Sequence, residues 1–98
     1  MSGVTGRPEH GLRVEIVLDE AASTPERAVY RGALHEPDRS RQLEAVATAR
    51  GVELTLDPND DALVRVIAPL VRAATKAELV QGDPPPRKIV RWRPRADG

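Results

Sequence analysis

The sequence predicts a small α+β fold: a two-layer sandwich with two helices on one face of a four-stranded mixed sheet, in the order strand, strand, helix, strand, helix, strand. Three observations predict it. Residues 12–18, LRVEIVL, alternate strictly. Two later stretches repeat apolar residues every three or four positions. Proline and glycine cluster between these runs and punctuate them.

In residues 12–18, Leu12, Val14, Ile16 and Leu18 share one face, while Arg13, Glu15 and Val17 share the other. β-Branched residues in a period of two make a half-buried strand. Residues 24–35, TPERAVYRGALH, admit two readings. Thr24, Pro25 and Glu26 resemble a helix start. Gly32 in mid-segment would cost a helix about 1 kcal/mol, and Ala28, Tyr30, Gly32 and Leu34 alternate with their neighbours. The alternation favours a strand hairpinned onto the first.

Residues 38–51, DRSRQLEAVATARG, read as the first helix. Asp38 or Ser40 would cap it, Leu43, Val46 and Ala47 would form its apolar stripe, and Gly51 would end it. VELTL, residues 52–56, reads as a short strand. The second helix is expected from Asp57 as N-cap and Pro58 as first helical residue to about Val80. Leu63, Val66, Ile67, Leu70, Ala74 and Ala77 form its inner stripe, and Pro69 should kink or split it. After Gly82 the prolines 84–86 form a stiff extended arm into a last strand, RKIVRW. There Val90 and Trp92 are expected to face the core, with Ile89, Arg91 and Arg93 on the other side.

Ninety-eight residues make one domain at most. Residues 1–11, with three glycines and Pro8, read as a flexible leader, residues 12–93 as a single small domain and residues 94–98 as a flexible basic tail. With no Phe, one Tyr and one Trp, the core must rest on Val, Leu, Ile and Ala. Such a thin core predicts modest stability, or a partner, a second copy among the candidates, that covers apolar surface. No cysteine is present, which excludes disulfides and thiolate metal sites. No run is long enough to cross a bilayer as a helix and no signal peptide is evident, so a cytoplasmic protein without membrane contact is expected.

The chemistry-bearing residues are sparse. His35 precedes Glu36 and Asp38, but HEPD matches no metal-ligand spacing. DPNDD imitates the start of a calcium loop, yet Ala62 and Ala68 stand where glycine and a bidentate glutamate belong, and helix capping accounts for the acids. No serine sits in a nucleophile elbow, and no phosphate-binding glycine motif occurs. Catalytic, cofactor and metal sites are therefore expected to be none, and the chain is not expected to be an enzyme.

Charge offers the remaining lead. The formal net charge is zero, yet from Asp83 onward five cations face two acids, leaving a net acidic body before them. Arg91, Arg93 and Arg95 alternate along an extended segment, roughly 7 Å apart. Arg65, Arg72 and Lys76 add a stripe on the predicted long helix. Together these six are the candidate surface for an anionic partner. The expected function is a protein-interaction or adaptor module that binds another protein, or itself, through a sheet edge. The alternative is a nucleic-acid-binding accessory protein using the arginine-rich strand.

Overall fold

The computed structural model describes residues 11–93. The leader apart from Gly11, and the tail with Pro94 and Arg95, lie outside them. Five strands form one sheet: β1 (Leu12–Leu18), β2 (Ala28–His35), β3 (Ser40–Thr48), β4 (Gly51–Asp57) and β5 (Lys88–Arg93). Among the described residues a single α-helix, α1 (Asp61–Gln81), lies between β4 and β5 in the chain. The strand order is β4-β3-β2-β1-β5, and every neighbouring pair is antiparallel. The predicted pair of helices on a four-stranded mixed sheet is thus corrected to one helix on a five-stranded antiparallel sheet.

The correction falls on residues 38–51. Their Ala, Leu, Gln and Glu are good helix formers, and Leu43 with Val46 and Ala47 imitates a helical stripe. The segment is nevertheless β3, an interior strand with β2 on one side and β4 on the other. The alternation of Arg41, Leu43, Ala45 and Ala47 buries one side of it completely. Pairing on both edges outweighs a weak local preference. Gly51 caps no helix; it opens β4 directly after the turn at Ala49 and Arg50.

β2 begins at Ala28, and Thr24 bridges Arg27 in the preceding turn rather than capping a helix. Asp19 caps a short 3-10 turn, Glu20–Ala22, in the β1–β2 connection by accepting from the Ala22 amide. Gly32 is required by close approach. A β-carbon there would lie 2.1 Å from the Glu15 carbonyl oxygen on β1.

Asp60, not Asp57, caps α1, accepting from the Leu63 amide at 3.1 Å. Asp57 ends β4, and its bond to Pro58 is cis. The helix runs as one element through Pro69, which faces solvent. It ends at Gly82, whose φ of 79° is the left-handed value that glycine adopts without a β-carbon clash. Ile67, Val71, Thr75 and Leu79, four residues apart, are its buried line. Thr75 satisfies its hydroxyl on the Val71 carbonyl. Among the described residues no helix is long and apolar enough to cross a membrane.

The core lies between α1 and one face of the sheet. It gathers Val14, Ile16, Tyr30, Leu34, Leu43, Leu56, Ile67, Val71 and Ile89. Tyr30, the bulkiest of the fully buried side chains, pairs across strands with Ala45, a large residue beside a small one. Its hydroxyl donates to the Pro86 carbonyl at 2.6 Å. At the other end of the sheet Arg41 is buried with Glu36, each side chain 8% exposed. Arg41 Nε donates to Glu36 Oε2 at 2.6 Å and Nη1 to the Pro58 carbonyl at 2.7 Å.

β5 is a strand as expected, but its faces are reversed. Ile16 pairs with Ile89 and Arg13 with Trp92. Ile89 is therefore in the core, 1% exposed, and Trp92 stands on the open face, 61% exposed. β5 has apolar residues on both sides, so alternation alone could not choose; the register on β1 does.

Two stability outcomes follow from this packing. Gly32→Ala is expected to lose roughly 3 kcal/mol or more, read as a lowered urea midpoint, because backbone rather than a movable side chain meets the new carbon. Burial, and then the nearby Glu78 charge, push the Tyr30 phenol up to about 12. A raised folded value stabilises fully below the unfolded value near 10 and is lost above it. Stability should accordingly fall as pH rises from 10 toward 12, and Tyr30→Phe should remove that slope while costing about 1 kcal/mol at neutral pH.

Candidate functional site

The proline arm explains where the cationic segment sits. Prolines lack an amide donor and hold the chain extended, so residues 84–86 cross from α1 to the sheet without joining a ladder. The Tyr30 hydroxyl holds the Pro86 carbonyl, and the Leu18 amide donates to the Arg87 carbonyl at 2.8 Å. From there Lys88–Arg93 pairs with β1 and forms an outer edge of the sheet.

On the open face Lys88, Val90 and Trp92 lie beside Val17, Glu15 and Arg13 of β1. The Arg13 guanidinium carbon is 5.4 Å from the centre of the Trp92 ring, within cation–π range. Glu15 is the hub of this patch. Arg13 donates to it, Lys88 Nζ is 3.5 Å from it and His35 Nε2 is 3.8 Å from it. His35 Nδ1 is 2.8 Å from the Ser40 hydroxyl, which orients the ring. One carboxylate thus faces two cations and a histidine, with an exposed indole alongside.

Arg91 and Arg93 project from the other side of β5, the side of Ile89, and both are exposed. Arg91 Nη1 donates to its neighbour's carbonyl, that of Val90. Among the described residues neither Arg91 nor Arg93 is ion-paired. The predicted helical stripe is elsewhere. Arg72 reaches Gly51 at the start of β4, on the opposite edge of the sheet, and Arg65 and Lys76 share its side of α1 by helical spacing. Four strand spacings, roughly 19 Å, separate the two edges. Arg91 and Arg93 are brought together; Arg65, Arg72 and Lys76 do not join them. Arg95 lies outside the described residues.

A second surface feature is a shallow 420 Å³ dent on the open face, lined by Arg31, Gln42, Glu44, Thr55 and Asp57 over the bare backbone of Gly32 and Leu43. Its one cation is already engaged: Arg31 Nε donates to Asp19 at 2.9 Å and Nη1 to Glu44. The same bond to Arg31 is the chief cause that lowers Asp19 below its usual value. Glu36 of the HEPD run serves Arg41, and Asp60 of the DPNDD run serves the helix N-terminus. Among the described residues no three His, Cys, Asp or Glu side chains are grouped to hold a metal ion.

The residues missed by sequence reasoning are Arg13, Glu15, His35 and Lys88. Alternation already placed Arg13 and Glu15 on one face, but their meeting with His35 and Trp92 depends on strand register. No protein-family model, curated protein or solved structure matches the chain.

The exposed indole is directly measurable. Trp92 fluorescence should show hydrated emission and near-free quenching by acrylamide in the folded protein, changing little on unfolding. Shielded, blue-shifted emission would place the ring back in the core.

Proposed function

We propose that this chain is a non-catalytic interaction module that takes up an extended acidic segment of another protein along the outer edge of β5. The observation that carries the reading is the character of that edge. It is an edge strand whose outer side has no partner among the described residues, with Lys88, Arg91 and Arg93 exposed along it and Trp92 exposed toward its end. An edge strand offers a row of backbone donors and acceptors to an incoming strand, and its flanking side chains set which strand is accepted. Arg91 and Arg93, two residues apart on one face, favour alternating acids on the guest. Trp92 and Val90 supply apolar contact on the open face.

The same cations would attract a nucleic acid, but the surroundings favour a peptide. Single-strand binders stack successive bases on several aromatics, and here Trp92 stands alone among exposed aromatics of the described residues. Glu15 already engages Lys88 and Arg13, and the cations of α1 lie on the far edge, so no continuous basic track runs across the sheet.

The test is a titration with a decapeptide of alternating glutamate and valine, followed by amide shifts and Trp92 fluorescence. Shifts should concentrate on residues 88–93, and Arg91→Ala with Arg93→Ala together should weaken binding roughly tenfold and flatten its salt dependence. A glutamine–valine peptide binding equally well would remove the acidic specificity. A random single-stranded oligonucleotide that binds more tightly, with affinity falling steeply in salt, would replace the peptide reading by the nucleic-acid one.

A further inference from the structure

The opposite edge has different chemistry. β4 (Gly51–Asp57) reads GVELTLD: no cation, no proline, and half-buried Val52 and Leu54 on the helix side. Among the described residues nothing pairs with its outer side. α1 packs chiefly on β4 and β3, so one flank of the helix runs along this edge. That flank carries Asp61, Arg65, Arg72 and Lys76, which lie within about 60° of one another at 100° per residue. The acid is at the N-terminal end, and two of the cations lie beyond the middle. Arg72 Nη1 is also buried there without a hydrogen-bond partner, above Gly51. A buried guanidinium donor left unmet is costly, and it points to an acceptor that the described residues do not supply.

We propose that a second copy of this chain supplies it, through antiparallel two-fold pairing of β4 with β4. Centred on Leu54, this pairing sets Glu53 opposite the partner's Thr55, Val52 opposite the partner's Leu56 and Gly51 opposite the partner's Asp57. No like charges face each other. The two helices then run antiparallel on one side of a ten-stranded sheet. With each axis over the β3–β4 gap, they lie roughly 10 Å apart, an ordinary helix-packing distance. Antiparallel flanks place Asp61 of each copy against Arg72 and Lys76 of the other, twice by symmetry. Arg65, near the two-fold axis, is exposed and turns to solvent. The same operation at β5, centred on Arg91, would oppose Arg91 to the partner's Arg91, cation to cation, so the β4 edge is the self-complementary one.

This goes beyond the peptide reading and is independent of it: the dimer leaves both β5 edges free at its far ends. Sedimentation equilibrium of the full chain should give twice 10.7 kDa, with concentration-dependent dissociation. Asp61→Lys alone, and Arg72→Glu with Lys76→Glu, should each sediment as monomers. Their one-to-one mixture should recover the dimer, because both cross-pairs are then again opposite in sign. Thr55→Glu, which leaves the helix untouched and faces the partner's Glu53, should raise the dimer Kd roughly tenfold even if a helix variant fails to fold. A wild-type monomer at several hundred micromolar would overturn the proposal, as would a dimer indifferent to all these changes. Either result would leave the peptide titration standing.

Discussion

The Tyr30 hydroxyl reaches across 56 residues of chain to the Pro86 carbonyl, and the placement of the last strand depends on that bond. Three consecutive prolines cannot join a ladder, so nothing in the arm itself decides where it docks. Tyr30 decides it. The ring fills the core beside Ala45, and its one polar atom is satisfied only by the arm. A buried phenol without that carbonyl would carry an unmet donor into an apolar site. With Pro86 held, Arg87 meets Leu18, and the β1–β5 register follows residue by residue.

Arg41 performs the corresponding task at the far end. It stands on the apolar face of β3, where an unpaired guanidinium would be prohibitive. Glu36 from the β2–β3 connection and the Pro58 carbonyl from the β4–α1 connection surround it. Asp60, the helix cap, has its carboxylate 3.9 Å away. One side chain therefore ties two loops and the start of α1 to an interior strand. A buried ion pair adds little net stability by itself, but losing one partner leaves a charge stranded. Its contribution is to hold the helix start in a single position over the sheet.

Between these two ends the antiparallel sheet has two edges of opposite character. β5 carries three cations and an indole; β4 carries two acids and a leucine-rich face beneath the helix flank. The zero net charge of the chain conceals this difference between its two edge strands. An edge rich in cations resists pairing with its own copy. The β4 edge has no such guard, and the unmet donor of Arg72 lies above it.

Much of this was legible in the sequence. Strict alternation marked β1, the apolar spacing marked α1, Gly82 marked its end and the prolines marked the arm, because each of these is a local steric or periodic property of the chain. β3 was not legible, since its alanines and leucine suit a helix as well as a strand and only pairing with β2 and β4 decides between them. The same reason hid the site. Ile89, Val90 and Trp92 put apolar residues on both sides of β5, so its inward face was undetermined until Ile89 met Ile16. Arg13, Glu15, His35 and Trp92 are scattered over eighty positions and become neighbours only through register. The order of side chains along each strand belongs to the sequence alone; which face is buried, and which charges meet, is settled by the long-range hydrogen bonds that align one strand against the next.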